Sequence, residues 1–251
     1  MTLFVLVTAL FLVIDSGKAI ASTQGGTAGR PSWAISTKAK YGHIFRADLK
    51  DGDGSFSLHE AGVELSFAKM LPDLNGILNF SLECGVLDFD LDANGNDLFD
   101  EAGLFDKVIE TSAGINLILN RGEWSYMTTL SVGTACEDHS SVEDSVLFNG
   151  GLGAIYQMSE HLKLGFGLFV GTQLEDDTMV IPFVSVEYRP ADRLTLAVRD
   201  GLSVEYELDK GRTSLTFEGK YKSHRFRLDK TAPLANGVAD YQLVPITLGL
   251  R

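Results

Sequence analysis

The chain has 251 residues, 45% of them hydrophobic and 22% charged, and its 34 Asp and Glu outnumber 21 Lys and Arg to leave a net charge of -13. No basic stripe interrupts that acidity, which excludes a nucleic-acid-binding role. Two cysteines, Cys84 and Cys136, are too few for a disulfide scaffold and leave a single bridge between them as an open question.

The N-terminus reads MTLFVLVTALFLVIDSGKAIAS. An apolar run from Leu3 to Ile14 leads through a polar stretch to Ala19-Ile20-Ala21, the h-region and A-x-A site of an export signal. The expectation is a signal peptide over residues 1–21 and an exported mature chain over residues 22–251. The run is too short to cross a bilayer as a helix.

Beyond it, apolar residues recur at every second position, the mark of strands with one apolar face. Strands are expected around Thr37 and Val63, joined by FRADLKDGDG. The short turn LPDLN leads to GILNFSLECGV, which aligns Leu78, Phe80, Leu82, Cys84 and Val86. A long acidic connection, Asp88 to Lys107, precedes a strand around Ala113. The turn NRGE returns the chain into EWSYMTTLSVG, which aligns Trp124, Tyr126, Thr128, Leu130 and Val132. TACEDHSSVEDS leads to a strand around Gly151, and SEH to KLGFGLFVG with Leu164, Phe166, Leu168 and Val170 on one face. QLEDDT leads to a strand around Val184, PADR to one around Leu196, and Asp200-Gly201 to one around Val204. DKGR then joins a strand around Phe217, and DKTAPLANGVAD reaches the last strand, around Thr247.

Short turns therefore alternate with mostly longer connections, and the longer ones hold most of the acid. A soluble sandwich would turn polar faces outward, whereas these strands keep one face continuously apolar. The expected fold class is all-β: a closed antiparallel transmembrane β-barrel of about twelve strands, both termini on the short-turn, periplasmic side. The expected location is the outer membrane of a Gram-negative bacterium. The expected partners are the bilayer and its lipids, small solutes or ions, and the barrel-insertion machinery.

Within the Asp88–Lys107 connection, Asp90, Asp92, Asn94, Gly95, Asn96 and Glu101 fit positions 1, 3, 5, 6, 7 and 12 of a calcium-loop pattern. Their carboxylate and amide oxygens are the hard donors that Ca2+ takes. An EF-hand needs flanking helices, and a strand precedes this loop. Two readings stand: a weak calcium site ordering the loop, or a plain acidic surface loop. No other cofactor is expected.

The face opposite the apolar one carries both signs. Glu64, Glu83, Glu110, Glu187, Glu205, Glu207 and Glu218, with Lys38, Lys40, Arg199 and Lys220, fall on lumen-lining positions. They form either the wall of a water-filled channel or a paired network filling the bore. The function expected is a passive, porin-like channel; the alternative is a structural or adhesive surface barrel with acidic, calcium-binding loops. A hydrolase is disfavoured: His139 lies beside Glu137, Asp138 and Ser140, but neither G-x-S-x-G nor H-E-x-x-H occurs, so no catalytic residue is assigned.

Three stretches, GLGAIYQMSEHLKLGFGLFVG, VIPFVSVEYRPADRLTLAV and SLTFEGKYKSHRFRL, resemble a family of bacterial outer-membrane β-barrels known mainly as a domain of unknown function. The resemblance runs from Gly150 onward and implies fold and location. It supplies no catalytic residues.

Overall fold

The computed structural model describes residues 2–4, 10–14, 33–48, 55–92, 107–137, 140–175, 177–199, 201–209, 213–228, 237–244 and 246–250. Among them there is no α-helix, and no helix long and apolar enough to cross a membrane. There are sixteen strands. The first two are short, β1 (Thr2–Phe4) and β2 (Leu10–Ile14), and lie within the expected signal peptide. Five long strands follow: β3 (Trp33–Asp48), β4 (Ser55–Leu71), β5 (Gly76–Asp92), β6 (Lys107–Arg121) and β7 (Trp124–Glu137). Then come β8 (Val146–Gln157), β9 (Leu162–Gly171) and β10 (Met179–Ala191). The shorter β11 (Leu194–Val198), β12 (Gly201–Asp209) and β13 (Thr213–Lys220) are next. The chain ends with β14 (Lys222–Arg227), β15 (Val238–Leu243) and β16 (Ile246–Leu250).

Every expected strand centre lies in a strand, but the count of about twelve is too low: β3 to β16 make fourteen. The difference is β14 and β15, read as the tail of one strand and part of a loop. From β3 to β13 the chain is an unbroken antiparallel meander, and β16 adds to β13. The expected closure is not made by the hydrogen bonds of these fourteen strands. Among the described pairings β3 and β16 do not meet; β2 lies between them, antiparallel to β3 and touching β16 only at Leu10↔Ile246.

Alternation fixes the two faces. One face exposes Trp33, Phe80, Leu82, Leu130, Leu152, Phe166, Leu168, Val184 and Leu248, with Val184 68% accessible and Leu152 64%. The opposite, inner face carries the charged residues and the hairpin described below. Turns at one end are tight. Gly122, with φ of 60° between Arg121 and Trp124, gives a two-residue hairpin with glycine at its first central position. Asn75, with φ of 48°, ends a 3-10 turn over Pro72–Leu74. Cys84 is exposed on β5, Cys136 is buried on β7, and both thiols are free with β6 between their strands.

On the inner face of β8, β9 and β10, Gly153, Gly167 and Phe183 lie side by side in the ladder. A Cβ on Gly167 would come within 2.5 Å of the Phe183 ring tip, so the glycine is what lets the ring lie flat on the wall. Gly167→Val is expected to cost about 1–3 kcal/mol by overpacking, read as a lower denaturation midpoint. Gly219→Ala, where an added Cβ meets nothing within 4 Å, should change little.

Candidate functional site

The strand β14, KSHRFR, does not join the meander. It pairs with β15 and meets β7 at the single position Arg227↔Cys136. Its side chains reach two opposite walls. Lys222 Nζ lies 3.5 Å from Glu60 of β4, His224 Nδ1 lies 2.7 Å from Glu110 Oε1 of β6, and the Phe226 ring is 5.9 Å from Phe89 of β5. The odd positions face away: Arg225 Nη1 donates to Gln173 Oε1 at 2.6 Å, and Arg227 pairs with Glu175 and donates to the Asp144 carbonyl at 3.0 Å. A hairpin that touches β4, β5 and β6 on one side and the β9–β10 connection on the other sits inside a sheet that wraps around it.

The sequence explains this placement. Lys222, His224 and Phe226 alternate with Ser223, Arg225 and Arg227, so neither face of β14 is apolar and neither suits the outer surface. The interior supplies counter-charges. Lys40 Nζ lies 2.5 Å from Glu83 and 3.4 Å from Glu60, extending the Lys222–Glu60 contact across β3, β4 and β5. Beside this network lies a small apolar core. Leu58, Leu87 and Val108 are 0–1% accessible, as is Phe226; Leu58 neighbours Phe89 and Leu87 neighbours Val108 in the ladder. The largest fully buried side chains therefore gather at the end of the interior that the hairpin occupies.

The other half of the interior holds two cavities. Glu187 on β10 is the centre of a cluster, 2.8 Å from Lys163, 3.0 Å from Arg189 and 2.9 Å from Arg199. Across a cavity of about 420 Å³ stand Glu205 and Glu207 of β12 and Glu218 of β13. Next to it, a mostly apolar cavity of about 910 Å³ is lined by Met127, Ile155, Phe169, Ile181 and Phe183 and shares Arg199 with the first.

The residues expected on the lumen face thus fall into two groups. Glu83 and Glu110 contact the hairpin network, while Glu187, Arg199, Glu205, Glu207, Glu218 and Lys220 line the charged cavity. Glu64 accepts a hydrogen bond from Ser66 at 3.0 Å. Of the calcium pattern, Asp90 and Asp92 are on β5, paired with Ser57 and Ser55, so its first two positions are extended strand. Asn94, Asn96 and Glu101 lie outside the described residues, and no group of three metal-ligating side chains occurs among those described. Sequence reasoning missed the hairpin and its partners Glu60, Gln173 and Glu175. The signal available was the absence of an apolar face on KSHRFR.

The family model of a domain of unknown function, DUF6268, matches residues 89–242, more than half of the chain. The chain belongs to this family. The DUF6268 match begins near the C-terminal end of β5 and ends within β15, so it contains the hairpin as well as most of the meander. No curated protein matches the chain in sequence. The crystal structure of the P. putida toluene transporter TodX is similar at a TM-score of 0.48 and 11% identity, over 88% of this chain and 82% of that one.

Proposed function

We propose that this DUF6268 protein is an outer-membrane β-barrel acting as a channel for small solutes or ions, with β14–β15 as a hairpin that narrows its bore. The observation that carries the reading is the accessible apolar face. Apolar side chains between 36 and 68% accessible cover the outside of β3 to β13 and of β16, from Trp33 and Ile35 on β3 to Leu248 on β16. A water-soluble monomer rarely presents so large a contiguous apolar surface, and a bilayer is the solvent that such a surface requires. With hydrocarbon outside, closure of the mature wall follows from the need to satisfy every edge, and β3 and β16, already antiparallel in sense, are the strands to join. The short turns then mark the periplasmic end.

Inside, the ionic lining suits water-soluble cargo, and the hairpin occupies part of the path. Planar-bilayer recording tests this. Gly219 already pairs with Ile246, so replacing residues 221–244 by Asn-Gly would join β13 to β16 with a two-residue turn. The expected result is a small conductance for the full chain and a several-fold larger one for the variant. Silent bilayers with both proteins would reject a channel.

A further inference from the structure

We infer that the wall has a side opening between the upper half of β10 and the β11–β12 hairpin, through which small uncharged apolar molecules exchange between the bilayer and the apolar cavity. This rests on the membrane-barrel reading. β10 spans thirteen residues, Met179–Ala191, and pairs with β9 along Met179–Tyr188. Its other edge meets β11 only from Val186 onward, because β11 is five residues long and ends at Val198.

Ladder geometry says which groups are left at that edge. Arg189 N–H donates to the His161 carbonyl at 2.8 Å, so odd-numbered residues of β10 turn their backbone groups toward β9. Even-numbered residues turn theirs the other way. On that side Val186 finds Val198 of β11, and Val180, Pro182 and Val184 have no strand among the described pairings. Proline at the middle of these three has no N–H to leave unpaired, as suits a free edge.

The edge lies at bilayer depth. Pro182 is level with Leu168 and Val184 with Phe166, both more than half accessible on the outer face. Irregular or unpaired backbone at that depth is tolerated where it lines a cavity. The apolar cavity is there, and it is lined by both faces of β10: Ile181 and Phe183 from inside, Pro182 and Val184 from outside. A cavity lined by both faces of one strand wraps around its edge. Its lining of Met127, Ile155, Phe169 and Phe183, and its volume of about 910 Å³, fit a compact apolar molecule.

Tryptophan quenching in reconstituted vesicles tests the opening. In a Trp33→Phe/Trp124→Phe background of the full chain, single tryptophans are placed by Thr129→Trp inside the cavity, Val184→Trp on the outer face and Ser66→Trp on the inner face of β4. Met127→Trp repeats the cavity measurement where Thr129→Trp does not fold. The quencher is 1-bromodecane dissolved in phosphatidylcholine vesicles. The expected quenching slope at Thr129→Trp is close to that at Val184→Trp and several-fold above that at Ser66→Trp. A slope at Thr129→Trp no greater than at Ser66→Trp overturns the opening, as do equal slopes at all three sites, which mean general entry into the bore. No quenching at Val184→Trp overturns the membrane reading beneath it.

Discussion

Phe226→Ala is expected to release the hairpin from the wall, at a cost of about 3–5 kcal/mol. Phe226 is 1% accessible, packs on Phe89, and sits at the same end of the interior as the buried Leu58, Leu87 and Val108. The neighbouring ion pairs should matter less. Lys222 is 26% accessible at its side chain, and its buried partner Glu60 keeps a second cation, Lys40 at 3.4 Å, so losing Lys222 does not leave an uncompensated buried carboxylate. The order of effects is therefore Phe226→Ala well above Lys222→Met. Hydrogen exchange of the β14 amides gives the opening free energy, and the conductance of the Phe226→Ala protein should approach that of the hairpin-replaced one. A larger effect from Lys222→Met would show that charge, not apolar packing, holds the hairpin.

Leu168→Arg is the second large effect. Leu168 is 52% accessible in the middle of β9, flanked on its face by Phe166 and Val170. A guanidinium at the bilayer midplane on the lipid face of such a strand costs about 2–4 kcal/mol. The same change at Leu168 in a protein surrounded by water would be close to neutral, so the measurement separates the two environments. Folding into vesicles, followed by urea titration, should show a clear loss of stability for Leu168→Arg. Parent-like stability would mean that this face does not meet hydrocarbon.

Much of the meander was legible because a strand with one apolar and one polar face must alternate strictly. EWSYMTTLSVG and KLGFGLFVG carry that alternation residue by residue, and β7 and β9 lie where it places them. The hairpin was not legible in the same way. SLTFEGKY runs into KSHRFRL without a turn residue, so β13 and β14 read as one strand with a charged tail. What separates them is tertiary: once the apolar outer face ends at Tyr221, only the acidic interior can hold Lys222, His224, Arg225 and Arg227. The candidate site was half legible for the same reason. Alternation put Glu83, Glu110 and Glu187 on one face, but it could not say that Glu83 and Glu110 belong to the hairpin network while Glu187 gathers three cations 24, 2 and 12 residues away in sequence.

The strands also differ in length around the wall. β5 has 17 residues and β11 has 5. At about 3.3 Å per residue these reach about 56 Å and about 17 Å along the strand. If the chain is the membrane barrel proposed above, whose apolar band is about 25 Å tall, lipids beside β11 meet a wall lower than their own hydrocarbon layer. They match it by thinning on that side alone, at a cost of fractions of a kcal/mol for each ångström. On the membrane-barrel reading proposed above, the protein carries a fixed dimple in the membrane around it, beside β11. That dimple would give the barrel a front and a back in the plane of the bilayer, and copies that turn their fronts together would share one deformation instead of making two.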